Sequence, residues 1–263
     1  MNSIDPQHIQ NIIVTGKSGA GKQPRIDVLI KEYSLQQLST GDIFRKYLRI
    51  FNDFGFNEDL SIFWDEDKDR FKSDSEIKKL LQTTDDEVVL GLKAKYFVDK
   101  GLFVPDYITN ALFQAAFADK QYTHQVLDGY PRTVDQAIFL IDIIKQQQVH
   151  IDFIVLVDNT DDRIIQRTVQ RRICPQCGKV YHLQYKPPVD GNCSVCGIPV
   201  IQRSDDTKEK ITSRLQEFQE KTVPAIEYLK DRGIPLVKVP GHLEKFTDEN
   251  VRKSVLDAVH TIE

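Results

Sequence analysis

Short apolar runs alternate with longer stretches of helical periodicity from residue 11 onward. Ile12 to Thr15, Leu38 with its neighbours, Val126 with Leu127, Phe153 to Val157 and Pro235 to Val239 have the apolar, β-branched density of strands. Val134, Ile138, Ile141 and Ile144 fall at helical spacing, as do Val251, Val255, Val259 and Ile262. Strands that alternate with helices build a parallel sheet covered on both faces. The pattern therefore predicts an α/β fold, a three-layer core around a five-stranded parallel sheet.

Two segments break the alternation. Residues 173 to 204 hold all four cysteines with Pro187, Pro188 and Gly191, the composition of a small β-rich module inserted in the core. Residues 50 to 88 mix an acidic excess with Phe51, Phe54, Phe56, Ile62, Phe63 and Trp64, which predicts a partly ordered insertion with one or two helices.

At 263 residues the chain has room for one large core with smaller excursions. With 40% hydrophobic and 28% charged residues it is globular rather than disordered. A net charge of -4 provides no broad positive field, which argues against a non-specific nucleic-acid binder. The polar N-terminus lacks a secretory layout, and no apolar run approaches the roughly 18 residues of a membrane span, so the expected location is cytoplasmic. In such a chain Cys174/Cys177 and Cys193/Cys196, two Cys-x2-Cys pairs with fifteen residues between them, predict a tetrahedral Zn2+ site rather than disulfides. Four thiolates close the shell, so the zinc is structural.

The sharpest motif is "IIVTGKSGAGK", where Gly16, Gly21 and Lys22, with Gly19 between, follow an apolar strand and precede a helical pattern. Glycines let backbone N–H groups approach a phosphate, the helix start attracts the same anion, and Lys22 reaches the β- and γ-phosphates. The next residue is Gln23, where many phosphate loops carry a Ser or Thr that touches Mg2+. The loop alone does not establish a metal.

Further on stand "LSTGDIFR" (Leu38 to Arg45) and "VLDGYPRTVDQA" (Val126 to Ala137). With these the chain resembles the adenylate kinase family, from Asn11 to about Gly241. The resemblance implies a phosphate-loop core at 1–39, 107–172 and 209–263, an AMP-binding flap at 40–106 carrying the 50–88 insertion, and a zinc lid over ATP at 173–208. It puts Gly16, Gly19, Gly21, Lys22, Arg167, Arg171 and Gly241 on ATP. On the AMP side it puts Thr40, Arg45, Val104, Gly129, Arg132 and Gln136. Arg167 would stack on the donor adenine, Gln136 would read the acceptor adenine edge, and Asp128 would hold Mg2+ through water. Arg203, with Asp205 and Asp206, and Arg214 would face the transferring phosphoryl group, and a cis bond would precede Pro131. The implied reaction is ATP plus AMP to two ADP on a monomer, with Mg2+ alongside ATP.

The chemistry needs no general base, because the acceptor phosphate, with a second pKa near 6, is already an ionised nucleophile at neutral pH. It needs positioning and positive charge, which a lysine and a set of arginines supply. Two alternatives stay open: a nucleoside monophosphate kinase of another base preference, or a catalytically weakened nucleotide-binding regulator, suggested by "GKQP" where the family has "GKGT". A zinc-ribbon nucleic-acid binder lacks its basic patch.

Overall fold

All five side chains of Asn11–Thr15 are buried, which marks this segment as a central strand. The computed structural model describes residues 8–184, 186–202 and 206–262. In chain order it has β1 (Asn11–Thr15), α1 (Lys22–Tyr33), β2 (Gln36–Ser39), α2 (Thr40–Phe54), β3 (Trp64–Asp65), β4 (Arg70–Phe71), α3 (Asp74–Leu81), α4 (Asp86–Asp99) and α5 (Asp106–Ala118). Next come β5 (Gln125–Asp128), α6 (Val134–Gln147), β6 (Phe153–Asp158), α7 (Asp161–Val169), β7 (Arg171–Ile173) and β8 (Val180–His182). The chain closes with α8 (Lys208–Glu217), α9 (Val223–Lys230), β9 (Leu236–Pro240) and α10 (Asp248–Val259).

The core is a five-stranded parallel sheet in the order β2-β5-β1-β6-β9, with helices on both faces. Successive side chains of a strand point to opposite faces. Ile12 and Val14 accordingly join Ile26, Leu29 and Val255 in one core layer, while Ile13 joins Leu127, Leu140 and Ile154 in the other. The register pairs Val14 and Ser39 with Asp128, and Asp158 with Pro240. The loops that leave these strand ends therefore meet along one edge of the sheet.

In α6 the buried stripe is Ala137, Leu140, Ile141 and Ile144, while Ile138 is 39% exposed. Ile138 lies one residue, about 100°, around the helix from Ala137, so the Val134–Ile138 spacing points the wrong way. The α10 stripe of Val251, Val255 and Val259 is buried as its spacing predicts.

Residues 50 to 88 contain helix, as expected, and are folded along more of their length than a partly ordered insertion would be. They contain the end of α2, the β3–β4 hairpin, α3 with a capping box between Ser73 and Glu76, and the start of α4. Phe51, Phe63 and Ile77 are fully buried in the larger core layer. Trp64 stacks on Tyr96 with centroids 5.0 Å apart and meets Phe71 and Phe97 edge-on at 4.9 and 5.8 Å. Helices α2 and α4 approach closely at Gly91, where a Cβ would sit 2.4 Å from the Tyr47 carbonyl oxygen. Among the described residues no helix is long and apolar enough to cross a membrane.

Candidate functional site

The turn from β1 into α1 holds Gly16, Gly19 and Gly21, with φ of 147°, 86° and 99°. It delivers the chain to a 12-residue helix whose first N–H groups have no intrahelical partner. Lys22 folds its Nζ back onto the carbonyls of Gly16 and Lys17, at 3.1 and 3.5 Å. Its pKa is lowered, mainly by desolvation; Asp128 pushes it up and Arg132 pushes it down. These three groups therefore feel one another's charge.

Asp128 ends β5 and accepts a hydrogen bond from Gln37 at 2.9 Å. The chain then turns through Gly129 and a cis Tyr130–Pro131 bond. Thr40 Oγ1 donates toward the carbonyls of Asp128 and Gly129 at 2.9 and 2.8 Å, and Arg132 Nε donates to Gly129 at 2.8 Å. Arg132 keeps contact with solvent, yet neighbouring groups crowd its guanidinium. Desolvation lowers its pKa, Asp128 and Glu217 oppose the shift, and Arg214 adds to it. Arg214 and Glu217 arrive on α8, which runs through a π turn, Phe218–Thr222, into α9. Thr222 Oγ1 donates to the Arg132 carbonyl at 3.2 Å, so the turn holds α8 against the Gly129–Arg132 loop.

On the other side of the phosphate loop, Arg167 of α7 and Gly241 converge on Gly21. A point one Cβ out from Gly21 is 3.0 Å from Arg167 Nη1 and 3.1 Å from the Gly241 carbonyl oxygen. Gly241 packs so closely that its own Cβ would lie 2.2 Å from the Ala20 carbonyl oxygen, so no larger residue fits there without moving the loop.

The other predicted residues have partners of their own. Arg45 is 72% exposed and pairs with Asp42 at 2.5 Å. Gln136 is buried, accepting from the Arg132 N–H at 2.8 Å and donating to Asp106 at 2.7 Å. Val104 packs on the larger core layer. Arg171 forks onto the fully buried Asp206 through Nε and Nη2, at 2.9 and 2.5 Å. Arg203 and Asp205 lie outside the described residues.

The sulfurs of Cys174, Cys177, Cys193 and Cys196 all lie within 4.8 Å of one another, with Cys177 and Cys193 3.6 Å apart. A tetrahedral ion with bonds of about 2.3 Å needs sulfurs about 3.8 Å apart, so the cluster fits zinc. Backbone N–H groups of Cys177 and Val195 point at the Cys174 and Cys193 sulfurs. The Tyr181 hydroxyl donates to Cys193 Sγ at 3.3 Å while accepting from the Ser194 N–H at 2.7 Å. That hydroxyl is the first cause that pulls the Cys193 pKa down to about 6.

Comparison with known proteins decides the family. The adenylate kinase family model matches residues 78–234. The chain is 32% identical to the adenylate kinase of Clostridium tetani over 237 residues, 89% of this chain and 93% of that protein. It is 32% identical to that of Thermoanaerobacter pseudethanolicus over 249 residues (94% and 98%), and 33% identical to that of Clostridium kluyveri (strain NBRC 12016) over 225 (85% and 87%). The chain belongs to the adenylate kinase family. It is a phosphotransferase of the nucleoside monophosphate kinase class.

Three residues near the phosphate loop and the cysteine cluster escape the sequence reading. Gln37 reaches Asp128 because β2 lies beside β5, an adjacency the sequence order hides. Asp106 takes Thr133 Oγ1 at 2.7 Å as well as Gln136, and its place just after Val104–Pro105 was the one signal for it. Tyr181, which no motif marks, reaches a sulfur.

Proposed function

We propose that the chain passes the terminal phosphoryl group of ATP to AMP, with the donor on the Gly16–Lys22 loop and the acceptor between Thr40, Gly129 and Arg132. The observation that supports this is the convergence of Lys22, Asp128, Arg132 and Arg214 at one end of a parallel sheet. Ligands of such sheets bind outside the strands' carboxyl ends. An oxygen of the AMP phosphate attacks the γ-phosphorus in line. The bond from that phosphorus to the β–γ bridging oxygen breaks, and the electron pair leaves with ADP. Lys22, Arg132 and Arg214 hold the charge that spreads over the transferring group.

Asp128, beside Lys22, would hold Mg2+ through water, and the ion would neutralise donor phosphate charge. Arg45 would leave Asp42, a pair exposed enough to contribute only about 0 to 1 kcal/mol, for the acceptor phosphate. Gln136 would read the AMP base by exchanging its Asp106 bond for the adenine edge, with Val104 beside the base. Arg167 and Gly241 would frame the donor adenine, and Arg171 and Arg203 would approach the phosphates as residues 173–208 close and exclude water. Zinc at the four cysteines would keep that lid rigid. Thiolates kept for zinc suit a reducing compartment, in keeping with a cytoplasmic monomer whose partners are ATP, AMP and ADP.

A coupled assay of ADP formation from ATP with AMP, GMP, CMP or UMP tests the reading. AMP is expected to give the highest kcat/KM. Preference for another monophosphate would replace the acceptor, and no turnover with any of them in folded, zinc-loaded protein would overturn the assignment.

A further inference from the structure

One turn into α1, directly behind the phosphate loop, stands an arginine that meets no anion among the described residues. Arg25 is fully buried. Its Nη1 donates to the Gly21 carbonyl at 3.2 Å and its Nη2 to the Pro240 carbonyl at 2.6 Å. Its guanidinium carbon lies 5.4 Å from the centroid of the Phe246 ring, and its Nε is buried with no hydrogen-bond partner among the described residues. No carboxylate among the described residues pairs with it; the charge that acts on it is another cation, Arg167. Burial and then Arg167 pull its pKa down to about 10, so it still carries its charge at neutral pH.

Burying a guanidinium without an anion costs several kcal/mol, and two carbonyls satisfy its donors without neutralising it. Surface arginines do not need such a place, and fully buried ones are rare unless paired. Arg25 touches the two backbone segments that converge at Gly21: the phosphate loop itself and, through Pro240, the Gly241 turn. Meanwhile the loop is short of donors. Pro24 has no N–H, and the Gln23 amide turns away to Asp27 and Gln37, each at 2.9 Å.

We propose that Arg25 is a positioning residue of the donor site, a cation set behind the phosphate loop whose counter-ion is the ATP polyphosphate. It acts through the field it projects across the Gly21 peptide and by fixing Gly21 against the Pro240 segment. In a water-poor setting a fixed charge of this kind acts more strongly than it would in solvent. The proposal rests on the reading that ATP occupies the Gly16–Lys22 loop.

The test is calorimetric titration of the full, zinc-loaded chain with ATP in EDTA, so that neither Mg2+ nor turnover enters, at low and at high KCl. AMP is titrated as the control. Arg25→Met keeps the apolar stem and is expected to weaken ATP binding about tenfold or more at low salt, about 1.4 kcal/mol. The deficit should shrink at high salt, AMP affinity should hold, and the melting temperature without nucleotide should be equal or higher, because an uncompensated buried charge has gone. Arg25→Lys should recover part of the loss. If Arg25→Met fails to fold, the same comparison is made with Arg25→Lys and Arg25→Gln, the charged variant being expected to bind ATP more tightly. Lys22→Met separates the two readings: if it too leaves ATP affinity unchanged, the loop is not the donor site. If Lys22→Met loses ATP while Arg25→Met binds it as the natural chain does, or only melts earlier, Arg25 is a structural brace and the proposal falls.

Discussion

Gln37 Nε2 donates to Asp128 Oδ2 at 2.9 Å, and Gln37 Oε1 accepts from Gln23 Nε2, also at 2.9 Å. The residue after Lys22 is thus tied through one amide to the carboxylate at the end of β5. A hydrogen bond to a charged group is worth about 1.5 to 3 kcal/mol, enough to orient Asp128. Gln37→Leu is therefore expected to raise the Mg2+ concentration at half-maximal rate about three- to tenfold, at under about 1 kcal/mol of stability lost, in line with a half-exposed site. Mg2+ titration of ADP formation alongside thermal melting measures both. An unchanged Mg2+ requirement would mean that other contacts orient Asp128.

The zinc prediction separates the ion from its support. Purified chain is expected to hold one zinc through the four cysteines, and Cys174→Ala to make the lid protease-sensitive while the core still melts cooperatively. Tyr181→Phe keeps every sulfur but removes the donor to Cys193. Partners of this outer kind typically change metal affinity about 10- to 100-fold. Zinc transfer to a chelating dye should quicken accordingly. Equal transfer rates would reduce the Tyr181 hydroxyl to a clasp on Ser194.

The 50–88 segment is expected to support the flap without joining the chemistry. Phe63 is fully buried with Phe56 at 5.3 Å, inside the larger core layer. Phe63→Ala should cost about 3 to 5 kcal/mol, the usual result of emptying a buried aromatic site. Urea unfolding reads this loss, and turnover per folded molecule at saturating substrates should be nearly unchanged. Loss of turnover in molecules still folded by circular dichroism would tie the segment to the reaction. Deleting residues 50–88 is the cruder variant, since it strips Phe51 and Phe63 from the core at once.

The strands were legible because segments such as Ile12 to Thr15 are buried on both faces and carry their signal in composition alone. Stripe positions were less so: Ile138 satisfies a helical spacing, but only the sheet decides which of two neighbouring spacings faces inward. Trp64 could not be placed from sequence because its stacking partner, Tyr96, lies far along the chain on α4. In the site, Lys22 and Asp128 could be named from motifs. Gln37 could not, since its role depends on β2 lying beside β5. Arg25 looked like any charged residue of α1 until its burial was known.

The last prediction concerns the loop's own departure from the family pattern, Gln23–Pro24. Helix α1 begins at Lys22, so Pro24 sits in its first turn, where an N–H has no intrahelical partner and proline is tolerated. The fold should therefore accept either sequence. Gln23 does not replace the missing threonine, because its amide is engaged by Asp27 and Gln37. Gln23→Gly with Pro24→Thr returns one N–H and one hydroxyl to the phosphate side. With each bond to a charged oxygen worth about 1.5 to 3 kcal/mol, kcat/KM for ATP at saturating AMP should rise about tenfold or more. The lost Gln23 bonds are exposed and should lower the melting temperature only slightly. Repeating the double substitution on Arg25→Met closes a double-mutant cycle: if the buried guanidinium offsets the poor loop, the gain from restoring the loop should be larger when Arg25 is absent. Equal gains on both backgrounds would make the two features independent, and no gain on either would show that this loop holds the triphosphate without the missing donors.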